Sequence, residues 1–256
     1  MWARVNTQRP LFVVMVPLIA LAWVSLFIWG VSPYARYLSH ESLQGAHLEH
    51  DPGVIAIMVA GWTLMLVAMM LPTTLPLVSL FYSITAQRPH RARLVGLLLA
   101  GYVAIWAAFG MLVHMANLGL LNMAHQLDWL HNHQFIAAGT LLVAGLYQFS
   151  PLKYKCLDKC RSPLSFIMTH RRGRQESLES FRLGIDHGLF CIGCCWALML
   201  LMFGVGVGSF TWMLVLGGVM AIEKNASWGR RISAPLGVFL IGLALACAVN
   251  GSVFGS

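Results

Sequence analysis

The densest run of reactive side chains is His187-Gly-Leu-Phe-Cys191-Ile-Gly-Cys194-Cys195-Trp196. On a helix advancing about 100° per residue, offsets of four, seven and eight from His187 fall at roughly 40°, −20° and 80°. One stripe therefore presents an imidazole and three thiols, with Met202 farther along it. Thiolates select soft metals: Cu(I), zinc or iron–sulfur clusters. The competing reading is packing, since a lone cysteine is a small buried apolar residue. Three cysteines within five residues on the face of a histidine weigh against it.

A second pair, Cys156-Leu-Asp-Lys-Cys160, stands upstream in a basic segment. If helical, both thiols share a face, and the gap lies within the range of zinc-site spacings. Lys153, Lys155, Lys159 and Arg161 around it are expected to lower the thiol pKa values and favour thiolate. The segment precedes the His187 stripe, so it can fold back over Cys191 and complete one site from Cys156, Cys160, Cys191 and Cys194, with His187 or Cys195 as neighbour or alternate ligand. Thioethers bind Cu(I) and little else of physiological weight. Met58, Met65 and Met69 share a face, with Met65 and Met69 four residues apart, and Met111 and Met115 repeat that spacing. Methionine also fills gaps in apolar cores, so a Met65/Met69 ladder reads either as a metal path or as packing. His40, His47, His50, His125, His131 and His133 fall in or beside short connections.

The elements that must hold these residues follow from composition. The chain has 256 residues, 58% hydrophobic and 10% charged, with mean hydropathy +0.72. A soluble domain carries roughly 25% charged residues; this chain reads instead as all-α, one polytopic transmembrane domain over residues 1–256, because lipid leaves no open backbone unsatisfied. Apolar runs predict about seven transmembrane helices. They cover residues 11–30, 53–71 (continuing to 84 past a kink at Pro72 and Pro76), 94–116, 134–150, two within 183–222, and 235–250. The two within 183–222 divide at Gly204, Gly206 and Gly208. The first run exceeds the usual secretory signal length and reads as an anchor. Sixteen of the 17 Lys and Arg residues then fall on one side, with Arg36 on the other. That bias predicts a cytoplasmic N-terminus, an outward C-terminus and a plasma (inner) membrane location. The net charge of +8 thus reads as topology and contact with anionic lipid. It does not read as nucleic-acid binding, since no basic stripe is interleaved with exposed aromatics.

Five of the six cysteines face the reducing side in this topology, which disfavours disulfides; Cys247, alone in the last run, reads as packing. Asp186 and Glu223 lie at ends of spans, where carboxylates pair or function, and Glu223 beside Lys224 reads as an ion pair. No nucleotide loop, G-x-S-x-G elbow, H-E-x-x-H motif or last-span Schiff-base lysine is present.

Several blocks resemble a family of bacterial integral membrane proteins described as predicted metal-binding. These are Ala68-Met-Met-Leu-Pro72-Thr-Thr-Leu-Pro76, Tyr147 through Pro163 with Cys156 and Cys160, Gly184 through Met199 with His187 and the three cysteines, Trp212-Met213, and Glu223-Lys224. Gly208-Ser209 departs from the family pattern where Met-Asn is common, and no proline follows Glu223-Lys224 closely. The resemblance implies metal binding by the cysteine blocks and supplies no activity.

The leading expectation is a non-enzymatic, copper-handling membrane protein, a Cu(I) chaperone or transport-like carrier. Its metal ligands are drawn from Cys156, Cys160, His187, Cys191, Cys194, Cys195, Met65 and Met69, and its partners are the bilayer and the metal ion. Two rivals stand beside it: an accessory subunit of a larger membrane complex with a zinc clip of thiolates, and a membrane thiol–disulfide protein using Cys191 and Cys194.

Overall fold

A computed structural model describes residues 2–32, 52–124, 133–170, 175–205 and 210–250. Every regular element among those residues is a helix. In chain order the helices are α1 (Trp2–Val31), α2 (Pro52–Met69), α3 (Leu71–Ile84), α4 (Arg91–Ala124), α5 (His133–Tyr147), α6 (Pro151–Arg161), α7 (Pro163–His170), α8 (Glu176–Val205), α9 (Phe210–Asn225) and α10 (Ser233–Asn250). A 3-10 turn, Gly229–Ile232, joins α9 to α10.

Apolar side chains cover the outside as well as the core. Val13 on α1 is 70% exposed, Leu112 on α4 65% and Val249 on α10 82%. Helices apolar on every side are stable where the surrounding medium is itself apolar. Four stretches are long and apolar enough to cross a membrane: Pro10–Val31, Arg91–Ala116, Glu176–Met202 and Gly229–Val249. A fifth arises if Val59–Met69 and Leu71–Ile84, bent by 64°, count as one broken span. The expectation of seven spans is therefore not met among the described residues. Within the described residues α5 covers 15 positions and α9 covers 16, each beginning where an undescribed stretch ends. The basic segment expected as a loop is folded into α6 and α7.

The bend between α2 and α3 has a local cause. Pro72 has no N–H to give the Ala68 carbonyl, and the next residue, Thr73, tightens the turn by directing both its N–H (3.1 Å) and its hydroxyl (2.7 Å) to the Met70 carbonyl. Met70 and Thr73 sit at this corner, and both are buried.

α8 is the central helix, packed against α4, α5, α6 and α9. Its contact with α4 is close because Gly184 and Gly188, one turn apart, face α4. A Cβ on Gly184 would fall inside van der Waals distance of the Leu98 carbonyl oxygen, and one on Gly188 would overlap Ile105. Small residues at i and i+4 let helix backbones approach in this way. α6 starts where Ser150 caps it, its Oγ accepting the Leu152 N–H at 3.2 Å with Pro151 in the first turn, an arrangement both residue types favour. It lies across α8, where Cys156 meets Gly193: a Cβ there would stand 2.5 Å from the Cys156 sulfur.

Candidate metal centre

The cysteines of α8 lie on its buried side, where α4, α6, α9 and the α2–α3 corner converge. Cys191, Cys194 and Cys195 are all within 2% of complete burial, as are Met70, Met199 and Met202. All six cysteines are free. Cys160, half-buried on α6, places its sulfur 3.9 Å from that of Cys194. The basic segment thus does fold back over the α8 stripe, through Cys160, while Cys156 is taken up by the packing against Gly193.

On the next face, Cys195 Sγ lies 3.8 Å from Met70 Sδ. Lys224, at the end of α9, carries its ammonium into the same space. Nζ is 2.8 Å from Cys191 Sγ, 3.5 Å from Thr73 Oγ1, 3.7 Å from Met70 Sδ and 3.8 Å from Cys195 Sγ. The Tyr102 hydroxyl on α4 completes the shell of Cys191 at 3.1 Å. Two α8 thiols also turn back on their own helix, Cys194 to the Cys191 carbonyl at 3.1 Å and Cys195 to the same oxygen at 2.9 Å.

Lys224 is free to face the thiols because its neighbour is held elsewhere. Glu223 does not pair with Lys224, as adjacency in sequence suggested. Consecutive helical side chains diverge by about 100°, and the partner of Glu223 is Lys153 on α6, at 2.8 and 2.9 Å, with both side chains buried. The Ser233 hydroxyl gives Glu223 a further bond at 2.7 Å, and Lys153 also donates to Gln148. Arg161 donates to the carbonyls of Glu223, at 2.5 Å, and Ser227, at 3.0 Å. This buried cluster fixes the end of α9 against α6 and α10, and so fixes where Lys224 points.

The same cluster corrects the electrostatic expectation for the α6 thiols. Lys153 is paired with the Glu223 carboxylate and Arg161 with backbone carbonyls, and the lowering by basic charge that does reach Cys160, from Lys224, is outweighed. Burial pushes the Cys156 thiol up. The hydrogen bond to Cys194, followed by burial, holds the Cys160 thiol well above its usual range.

The remaining candidates fall at varying distance from this nest. His187, one turn before Cys191, is buried between the rings of Tyr102 (centroids 5.8 Å apart) and Phe166 (5.5 Å), with Nδ1 unpartnered. Met65 and Met69 are buried in the same apolar cluster, and Met69 lies against Gly217 on α9; the thioether at the thiols is that of Met70. Among the described residues no three His, Cys, Asp or Glu side chains meet around one point as a preformed ligand set. Cys156, Cys160, Cys191 and Cys194, expected to complete one site, are not gathered as such a set. His40, His47, His50, His125 and His131, and the Gly208-Ser209 departure, lie outside the described residues. Of the residues that the sequence reading did not assign to the site, Met70 and Lys224 lie in blocks that carry the resemblance, Met70 next to the Pro72 kink, and Tyr102 carried no local signal.

The donor set is nonetheless chemically coherent. Around a three-coordinate ion with metal–sulfur bonds of about 2.3 Å, ligand sulfurs stand roughly 4 Å apart. Both sulfur–sulfur edges here, 3.9 and 3.8 Å, fit such an ion, and thiol plus thioether is a soft-metal donor set. Fold and site together define an all-helical protein, rich in helices fit for a membrane, with a buried thiol–thioether centre. Residues 59–247 match the model of the PpoB2 copper-chaperone family, and the chain belongs to that family. The matched segment runs from α2 to α10 and includes every residue of the nest. No curated protein matches the chain, and no solved structure does.

Proposed function

We propose that this chain is a Cu(I) chaperone embedded in the bacterial plasma membrane, which holds the ion as cargo and passes it on rather than catalysing a reaction. The observation that carries this reading is the pair of sulfur–sulfur edges, Cys160–Cys194 at 3.9 Å and Cys195–Met70 at 3.8 Å, built on adjacent residues of α8. Cys191, Cys195 and Met70 form the holding site. Cys194 and the half-buried Cys160 form the transfer edge, where an ion exchanges one thiolate at a time with its next carrier. Two or three soft ligands suit release, whereas a closed shell of four suits a structural zinc.

With α5 and α9 counted as crossings, the positive-inside bias supports an orientation that has α6 and the Cys160 edge on the cytoplasmic side, the N-terminus inside and the C-terminus outside. In that orientation α2 descends from the outer face, and Met65 and Met69 lead down to Met70 as an approach path. His187, in its aromatic box, is a reserve ligand one turn from Cys191.

The test is metal analysis of the purified protein after anaerobic Cu(I) loading. One copper per chain, lost in Cys191→Ser/Cys195→Ser, supports the holding site. Stoichiometric zinc, or copper indifferent to both substitutions, contradicts it. Cys160→Ser is expected to keep the ion and slow its transfer to an external chelator.

A further inference from the structure

The holding site already contains a cation. The Lys224 ammonium is surrounded by Cys191 Sγ, Thr73 Oγ1, Met70 Sδ and Cys195 Sγ at 2.8–3.8 Å, the same sulfurs assigned above to copper. All these residues are buried, and the two sulfurs of the Cys195–Met70 edge are 3.8 Å apart, which leaves room for one small cation between them. An ion bonded to Cys191 takes the sulfur that now accepts the ammonium's hydrogen bond, and two cations held on one sulfur in an apolar interior repel. We propose that Lys224 is a built-in placeholder for the cargo: its ammonium occupies the empty site, leaves as Cu(I) enters, and returns as the ion is released.

The exchange balances without redox chemistry. The Lys224 ammonium keeps its protons and moves out of the nest, the copper stays Cu(I), and the hydrogen bond from Lys224 to Cys191 is replaced by a metal–sulfur bond. Cys195, which donates to the Cys191 carbonyl and to Met70 Sδ, releases its proton to solvent as it binds the ion as thiolate. The geometry allows the movement. Lys224 is the next-to-last residue of α9, so its four-carbon stem can turn past the helix end without dragging the backbone, which Glu223 holds through Lys153 and Ser233. The consequence is a carrier that is never left with an empty, uncompensated sulfur nest in an apolar interior. Its affinity for copper is also moderated by an internal competitor. Coupling is reciprocal: whatever the ammonium takes from copper binding, copper takes from ammonium binding.

The inference rests on the holding site proposed above, and two measurements separate the failure of one from that of the other. The first uses the wild-type protein in detergent. Lys224 is reacted with an amine-specific ester and quantified by peptide mass spectrometry, before and after Cu(I) loading. Displacement predicts faster labelling of Lys224 in the loaded protein, with the exposed Lys155 and Lys159 as unchanged references. Equal or slower labelling of Lys224 in protein shown to hold copper overturns the placeholder and leaves the holding site standing. The second is competition for Cu(I) by a chromophoric chelator. Lys224→Leu, which keeps an apolar stem and removes the charge without adding a soft ligand, is expected to hold copper at least about fivefold more tightly, within the usual range of coupling between sites, and to release it more slowly. Lys224→Arg, whose charge stays, is expected to bind more weakly than Lys224→Leu. Weaker binding by Lys224→Leu than by wild type would mean that the ammonium supports the loaded site, and would overturn the proposal. Wild-type protein that takes up no copper overturns the holding site and the placeholder together.

Discussion

Removing the amine of Lys153 tests the cluster that aims α9 at the metal centre. Lys153 is 0% exposed and Glu223 2%, and the ammonium supplies two of the three side-chain hydrogen bonds that Glu223 receives, the third being from Ser233. Lys153→Met keeps the apolar stem and leaves a buried carboxylate with one hydroxyl donor. Breaking a buried pair from one side costs about 3–5 kcal/mol, because an unpaired charge remains in a low dielectric. For a chain of this size roughly 2–4 °C accompanies each kcal/mol, so the midpoint of thermal unfolding should fall by about 6–20 °C. Glu223→Gln should cost a similar amount, since it strands the ammonium. The double variant leaves no charge behind and should be less destabilised than the sum of the two. The assay is thermal unfolding of the purified protein in one detergent, read by helical circular dichroism for all four species of the cycle. Single variants within about 1 kcal/mol of wild type, or a strictly additive double variant, would refute the claim that this pair holds α9 in place.

Three further outcomes follow from the same structure. Met70→Leu, a near-isosteric change costing under about 1.5 kcal/mol of stability, should weaken copper retention in a chelator competition, whereas Met65→Leu/Met69→Leu should slow loading and leave retention unchanged; the reverse pattern would return the holding role to Met65 and Met69. Because Cys156 and Cys160 are held above the ordinary thiol range, they carry protons at neutral pH, and a ligand thiol must lose its proton to bind. Engagement of Cys160 in transfer therefore predicts a rate of copper transfer to an external chelator that rises with pH, with a shallower slope in Cys160→Ser; equal slopes would exclude Cys160 from the transfer step. A cysteine added at the C-terminus should react with an impermeant maleimide on intact cells, and labelling only after permeabilisation would reverse the assigned orientation.

The helical class and the position of the main cysteine block were legible because both are local: apolar runs persist over whole helices, and the thiol stripe is a matter of spacing along α8. The corner at Pro72 was legible for the same reason, since a missing N–H has a local effect. Span number was less so: hydropathy marks apolar residues, whereas four or five spans are counted among the described residues. The nest itself was only half legible. Cys160 meeting Cys194 followed from the proximity of α6 to α8 in the chain. Tyr102 comes from 89 residues away and Met70 from 125, brought in by helix packing that no spacing encodes. Lys224 misled in a particular way: its sequence neighbour is an acid, while its spatial neighbours are sulfurs.

The central claim, a sulfur-only site holding the cargo ion, is tested most directly by X-ray absorption of the Cu(I)-loaded protein. The account predicts a Cu(I) edge and two or three sulfur scatterers at about 2.2–2.3 Å, with one sulfur lost in Cys195→Ser and no imidazole scattering. A first shell dominated by nitrogen or oxygen, or one unchanged in Cys191→Ser/Cys195→Ser, would contradict it.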